Sequence, residues 1–318
     1  MASRDSPKTA PSIVQRDFPL ARLATIRTGG NADYFARAGS NAQLRELLAW
    51  ATAIEVPIAV VGSGSNLLIA DEGVPGLVIK LDRKLAQVQH EGQRIVCGGG
   101  ARLPSVAARA AQAGLSGIEF GVNIPGSVGG ALRMNANAYG GQLADTLEWA
   151  EIVTAEGIDR RPASRLGFGY RHSNLLSGEV VARASFLLTP VSVETVKATL
   201  AQMRARRHEA QPQGIKTFGS TFKNPQEDPK AEGRSAGLLL SEAGCNGLTV
   251  GGARFAVKHA NFIENTEAAT TADVVALMAE GRRRVIECFG VELEPEVQTL
   301  GAVRFPWRDR SSETLNRS

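Results

Sequence analysis

Residues 40–55 read SNAQLRELLAWATAIE, and Leu44, Leu47, Leu48 and Ala51 fall on one face at helical spacing. That period predicts a helix capped by Ser40 or Asn41. The pattern then changes to short apolar runs. PIAVVG (57–62) and GLVIKL (76–81) predict buried strands, and QVQHEGQRIVCGGG (87–100) predicts a hairpin turning at Glu91-Gly92. LPSVAARAAQAG (103–114) returns to helical spacing and stops at Gly114. EWAEIVTAEG (148–157) and GEVVARASFLLTP (178–190) predict strands, and SVETVKATLAQMRARRH (192–208) a helix.

The polar stretch EAQPQGIK (209–216) carries Pro and Gly and predicts a boundary. Beyond it come strand-like TFGSTF from residue 217, a helix near 234–243 and strand-like NFIEN (261–265). A long helix follows over 271–290, with Val274, Val275, Met278, Val285, Ile286 and Phe289 on its buried side. A strand at 295–301 closes this part. Mixed order without a steady strand–helix rhythm predicts an α+β fold rather than a doubly wound sheet. The expected organisation is a tail at 1–16, an N-terminal domain at 17–208, a C-terminal domain at 209–303 and a tail at 304–318. The N-terminal domain is expected to divide into parts at about 17–82 and 83–208.

Composition narrows the function classes. The chain has 318 residues, 43% hydrophobic and 21% charged, with a formal net charge of +4. This is a globular composition. The densest basic runs, RARRH (204–208) and RRR (282–284), lie in helical patterns and read as solvated faces, so no nucleic-acid partner is expected. Cys97, Cys245 and Cys288 have no metal-binding or disulfide spacing, so no metal is expected and a reducing compartment fits. No apolar stretch is long enough for a membrane span. The N-terminus lacks an export-type apolar segment, so a cytoplasmic protein is expected.

Two glycine-rich loops are candidates for phosphate chemistry. The first, VVGSGSNLLIAD (60–71), follows a predicted strand. Gly62, Ser63, Gly64, Ser65, Asn66 and Leu67 can aim backbone N–H groups into one concavity, with hydroxyl and amide donors beside them. It is neither a Walker loop nor a Rossmann fingerprint, and a plain glycine turn is the competing reading. The second, GIEFGVNIPGSVGGALRMNANAYGG (117–141), combines Asn123, Ile124, Pro125, Gly126, Ser127, Gly129 and Gly130 before a helix-prone segment. The amides of Asn123, Asn135 and Asn137 can read polar ring edges. A turn with capping asparagines explains one glycine pair but not the whole run. Two such loops suggest a dinucleotide held from two sides.

TFGSTFKNP (217–225) places Ser220 between two phenylalanines with Lys223 and Asn224 close behind. By itself it leaves Ser220 as a nucleophile, a phosphate ligand, a proton donor or an ordinary strand residue. Its GST context is not a nucleophile elbow, which argues against a serine hydrolase.

Together, GSGSNLLIAD, GIEFGVNIPGSVGGALRMNANAYG, GYRHSNL, FGSTFKNP, AGCNGLTVGGARFAVKHANFIEN and LEPEVQTLG resemble the UDP-N-acetylenolpyruvoylglucosamine reductase family over residues 18–303. The resemblance implies a noncovalent FAD in a vanillyl-alcohol-oxidase/PCMH-like fold of two subdomains. It also implies NADPH as electron donor and a C-terminal α+β substrate-binding domain. The partner it implies is a small UDP-sugar enolpyruvyl ether, acted on by a monomer or weak oligomer. Hydride would pass from reduced FAD to the vinyl carbon, with the neighbouring carbon then taking a proton. Ser220 matches the proton donor, Arg171 the charge-stabilising arginine and Glu296 the catalytic carboxylate. Glu292 and Glu294 read as solvent-facing acids.

Tyr170, Lys223, Asn224 and His259 match substrate-side positions; a satisfied structural histidine is the competing reading of His259. Arg27 falls near the cofactor or substrate entrance. No tyrosine follows Tyr170, so the chain is similar to the family type that lacks a tyrosine-bearing loop. By the same resemblance, Glu264 in NFIEN stands where an apolar residue is more usual in the family, which implies either an exposed strand face or an altered pocket. Another FAD-dependent oxidoreductase of this fold, or a non-catalytic nucleotide-sugar-binding protein, are the alternatives.

Overall fold

The structure is a computed structural model that describes residues 9–212 and 214–308. The chain packs as two units. The first comprises residues up to 18 with 32–63 and 75–209, and the second comprises 19–31, 64–74 and residues from 210 onward.

In the first unit the predicted helix forms at Asn41–Ala53, and the Ser40 hydroxyl accepts from the Gln43 N–H to cap it. Its stripe of Leu44, Leu47, Leu48 and Ala51 joins Leu77, Ile79 and Leu81 in one core cluster. That strand, Val74–Leu81, lies between Asn31–Ala38 and Ile58–Val60 in a four-stranded sheet edged by Gln15–Pro19. Ile58–Val60 runs parallel to Val74–Leu81, with Val60 opposite Ile79. A second sheet of five antiparallel neighbours has the order Ile158–Pro162, Leu147–Val153, Val180–Leu187, Arg94–Gly98, Val88–Glu91. The helix Leu103–Gln112 belongs to that sheet's core through Leu103, Val106 and Ala110.

In the second unit the strands Thr217–Ser220, Phe262–Asn265, Ala253–Phe255 and Thr249–Val250 form an antiparallel sheet in that order. The helix Thr271–Phe289 starts in a capping box of Thr270 and Asp273 and ends at Gly290 with φ +66°. Val274, Val275, Met278 and Val285 are buried as the spacing predicts, and Leu277 joins them. Ile286 and Phe289 are only half-buried; the Arg234 guanidinium lies 4.6 Å from the Phe289 ring centre.

Three expectations need correction. The N-terminal tail does not reach residue 16, because Gln15 and Arg16 are in a strand and Ala10, Ile13 and Val14 pack on the helix core. At the other end Phe305 is buried, Arg308 pairs with Glu294 at 3.1 Å, and the Arg282 guanidinium lies 5.6 Å from the Trp307 ring. Residues 304–308 are therefore packed, while 1–8 and 309–318 of the two expected tails lie outside the described residues. Third, 19–31 and 64–74 belong with the C-terminal unit. Leu67–Ile69 pairs in parallel with Gln298–Leu300, and the Asn265 amide donates to the Ile26 carbonyl at 3.0 Å. These partners are some 230 residues apart in sequence, outside the reach of local pattern. Among the described residues no helix is long and apolar enough to cross a membrane.

Candidate active site

The first glycine loop is shared between the units: Gly62 and Ser63 belong to one, and Gly64 to Leu67 to the other. In the first unit, Gly62 abuts the second loop so closely that a Cβ there would lie 2.0 Å from the Ser127 Oγ. Only glycine fits. Ser127 caps the helix Val128–Arg133 through the Gly130 N–H, and the Gly129 N–H donates to the Gly99 carbonyl at 2.7 Å. On the far side, the Lys80 ammonium donates to the Gly62 carbonyl at 2.5 Å.

Asn123 is tied down by the helix Val193–Ala210. Its amide donates to the Met203 carbonyl at 2.8 Å, and Arg207 donates to its own carbonyl. Burial lowers the Arg207 pKa. Arg207 is thus not part of a solvated basic face; it fixes a glycine loop. Asn135 is 2% exposed and spends its amide inside the protein, donating to Gln142 Oε1 and the Gly169 carbonyl and accepting from the Ala144 N–H. It supports the Arg171 turn rather than reading a ring edge.

Arg171 sits at the tip of a two-residue turn closed by Gly169 and His172, which exchange backbone hydrogen bonds at 3.1 and 3.2 Å. Its φ is +53°, a left-handed conformation that costs a non-glycine residue free energy and marks a constrained position. The guanidinium donates to Asn137 Oδ1 at 3.1 Å and lies 5.4 Å from the exposed Tyr170 ring. Asn135 therefore holds the turn and Asn137 the side chain.

In the second unit Ser220 ends the strand Thr217–Ser220, opposite Phe262. Gly219 has φ +85°, and a Cβ there would reach only the Ser65 carbonyl at 3.6 Å, so the strand's outer side is bare backbone beside the first loop. Phe218 and Phe222 are buried and anchor the segment from below. Asn261 clamps Phe222, accepting from its N–H and donating to its carbonyl, both at 2.9 Å. The Glu296 N–H donates to the Thr221 carbonyl at 2.9 Å, and the Lys223 N–H to the Glu294 carbonyl at 2.8 Å. Ser220 and Glu296 are therefore neighbours on paired segments. The Asn66 amide donates to the Glu296 carbonyl at 3.2 Å, so the first loop joins the same cluster. Ser220 Oγ makes no hydrogen bond among the described residues.

The remaining candidates separate. Asn224 Oδ1 accepts from the Ala236 N–H at 3.0 Å, and its NH2 has no partner among the described residues. The His259 ring covers Gly237, whose Cβ would lie 2.6 Å from Cε1, and it packs edge-on to Phe262. Its Nδ1 accepts from the Asn261 N–H, and burial lowers its pKa, so the neutral ring is favoured. Arg27 donates to the Arg22 carbonyl at 2.6 Å. Glu264 is 7% exposed and bound by Arg254 at 2.9 Å, which removes the exposed-strand reading of its position.

Comparison with known proteins fits this arrangement. The profile described as "UDP-N-acetylenolpyruvoylglucosamine reductase, C-terminal domain" matches residues 211–300, and an FAD binding domain profile matches 32–159. UDP-N-acetylenolpyruvoylglucosamine reductase of Novosphingobium aromaticivorans is 41% identical over 94% of this chain and 99% of its own length. The chain belongs to the UDP-N-acetylenolpyruvoylglucosamine reductase family. The family enzyme from Acidiphilium cryptum is 42% identical over 90% of both chains. The crystal structure from Thermus caldophilus aligns with a TM-score of 0.78 at 36% identity, covering 90% of this chain and 98% of that one.

The residues of the FAD-binding domain fit such a cofactor. A Cβ at Gly126 would meet only Ile124, at 3.8 Å, so the second loop leaves room for a flat group. Ser63 makes no hydrogen bond among the described residues, leaving its N–H and hydroxyl available. Lys80 went unnoticed in the sequence, Arg207 was read only as part of a solvated basic run, and Asn137 as a ring-edge amide rather than as the holder of Arg171. Only Asn137, inside the amide-rich run, carried any local signal.

Proposed function

We propose that this enzyme reduces UDP-N-acetylglucosamine enolpyruvate to UDP-N-acetylmuramate with NADPH as electron donor, in peptidoglycan precursor synthesis in the cytoplasm. The single observation that carries the reading is the pairing of Glu296 with Thr221, the residue after Ser220, next to Ser65 and Asn66 of the first glycine loop.

FAD, when bound noncovalently by the two loops, supplies hydride chemistry. The protein must then manage charge and a proton. Ser220 gives its Oγ proton to the carbon that bears the substrate carboxylate. A hydroxyl is a weak acid, but a carbon carrying enolate-like charge is a strong base, and a positioned acid contributes about 10²–10⁴ in rate. With no partner among the described residues, the Ser220 Oγ proton is undiverted. Arg171 stabilises the developing negative charge, and its constrained turn keeps the guanidinium in one orientation. Glu296 is the site's carboxylate and shares a proton with it. Lys223 and the NH2 of Asn224 hold the substrate's polar groups, with Tyr170 as a further contact. His259 supports the site as a packed neutral ring.

The test is steady-state oxidation of NADPH. It is expected only when the enolpyruvyl UDP-sugar is present. NADPH oxidation independent of that substrate, or none with it, would overturn the reading.

A further inference from the structure

The Lys80 ammonium stands behind the first glycine loop, bonded to a backbone carbonyl rather than to an acid. Lys80 occupies the end of the strand Val74–Leu81, whose parallel pairing with Ile58–Val60 brings it alongside Gly62. The Val61 N–H donating to the Ile79 carbonyl at 2.9 Å extends that register by one residue. The half-buried Lys80 then reaches the Gly62 carbonyl at 2.5 Å.

The charged groups around Lys80 come from three elements. Arg37 lies on Asn31–Ala38, Arg102 precedes the helix Leu103–Gln112, and Asp82 directly follows Lys80's own strand. Asp82 caps the Arg83 N–H at 2.7 Å and lies 3.7 Å from Arg37. Burial, then Arg37, lower the Lys80 pKa. Burying an ammonium against one neutral carbonyl is costly, and an apolar side chain would serve a purely structural strand better.

The peptide that Lys80 grips supplies the direction. Among the described residues no peptide bond is cis, so the Gly62 carbonyl and the Ser63 N–H point opposite ways across one plane. With the carbonyl held by Lys80, the Ser63 N–H faces away from it. Neither that N–H nor Ser63 Oγ has a partner among the described residues. A fixed cation behind an aligned, unpartnered N–H is an arrangement for an anion.

We propose that Lys80 is a positioning residue for the cofactor's diphosphate, locking the Gly62–Ser63 peptide with its N–H toward the phosphate oxygens and adding positive charge behind it. The proposal rests on the FAD reading above.

The test titrates flavin-free protein with FAD and with riboflavin, which has no phosphate, following flavin fluorescence. Wild type, Lys80→Met and Lys80→Arg are compared. A charge-assisted contact predicts a loss of FAD affinity in Lys80→Met of about 10- to 100-fold, with riboflavin affinity unchanged within about 2-fold. Lys80→Arg recovers part of the loss. In wild type, FAD affinity falls as pH rises through the depressed lysine pKa, and Lys80→Met lacks that dependence. Equal loss of FAD and riboflavin, FAD affinity as in wild type, or a flat wild-type pH profile would overturn the proposal. Should Lys80→Met fail to fold, the wild-type pH profile and Lys80→Arg decide. A wild-type protein that does not bind FAD would sink the flavin reading itself, and this proposal with it.

Discussion

Arg171 donates to Asn137 Oδ1 at 3.1 Å, and the two residues are 34 positions apart in sequence. The guanidinium that we assign to the developing charge is thus steered by an amide from the end of the second glycine-rich segment. Asn137→Ala removes this steering without touching the charge. A hydrogen bond to a charged group contributes about 1.5–3 kcal/mol, so substrate turnover should fall by roughly 10- to 100-fold. Flavin reduction by NADPH should stay near normal. Asn137→Asp, which keeps an acceptor, should restore much of the activity. Equal damage to both half-reactions would show a merely structural role.

Glu264 predicts a stability effect of defined sign. Its carboxylate is 7% exposed and faces Arg254 across the paired strands, with Nε to Oε1 at 2.9 Å. Arg254→Met leaves a buried carboxylate without its cation and should destabilise by about 1–3 kcal/mol in urea unfolding. The double variant Arg254→Met with Glu264→Leu should recover most of that loss. No recovery would mean that the pair's shape, rather than its charge, supports the strand.

His259 makes a pH prediction. Its folded pKa is below the ordinary value because burial penalises the imidazolium. The unfolded chain therefore takes up a proton near its ordinary pKa of about 6.5, before the folded one does. Stability from this group is fully present above that pH. It is lost as pH falls from there through the folded value. His259→Gln should flatten this part of the unfolding midpoint–pH curve; an unchanged curve would contradict it.

Gly219 joins backbone strain to the site. At φ +85°, alanine meets no steric block beyond the Ser65 carbonyl at 3.6 Å, but the conformation itself disfavours any Cβ. Gly219→Ala should cost about 1–2 kcal/mol in unfolding free energy. It should also lower turnover by displacing Ser220. Wild-type stability and turnover together would contradict the reading.

Much of the architecture was legible because it is local. The Leu44–Ala51 stripe, the cap at Ser40 and the stop at Gly290 each depend on residues within a turn or two. The edge strand Gln15–Pro19 and the Ala-rich Asn31–Ala38 were silent, since neither carries strong strand-forming runs. Ile158–Pro162 was hidden by its charged DRR segment, in which Asp159 and Arg160 are exposed and Arg161 pairs with Glu179. Assignment of 64–74 to the C-terminal unit depends on pairing with residues near 298, which no local pattern encodes. Site residues with unusual motif chemistry, such as Ser220, announced themselves. Lys80 and Arg207 did not, because a lysine ending a strand and an arginine in a basic helix look ordinary until their carbonyl partners are seen.

The central claim is that Ser220 is the proton donor. Anaerobic stopped-flow separates the two half-reactions, and Ser220→Ala is the decisive variant. NADPH should reduce its flavin at a near-normal rate, while reoxidation by the enolpyruvyl UDP-sugar slows by about 10² or more. Equal slowing of both half-reactions, or no change in either, would contradict the account.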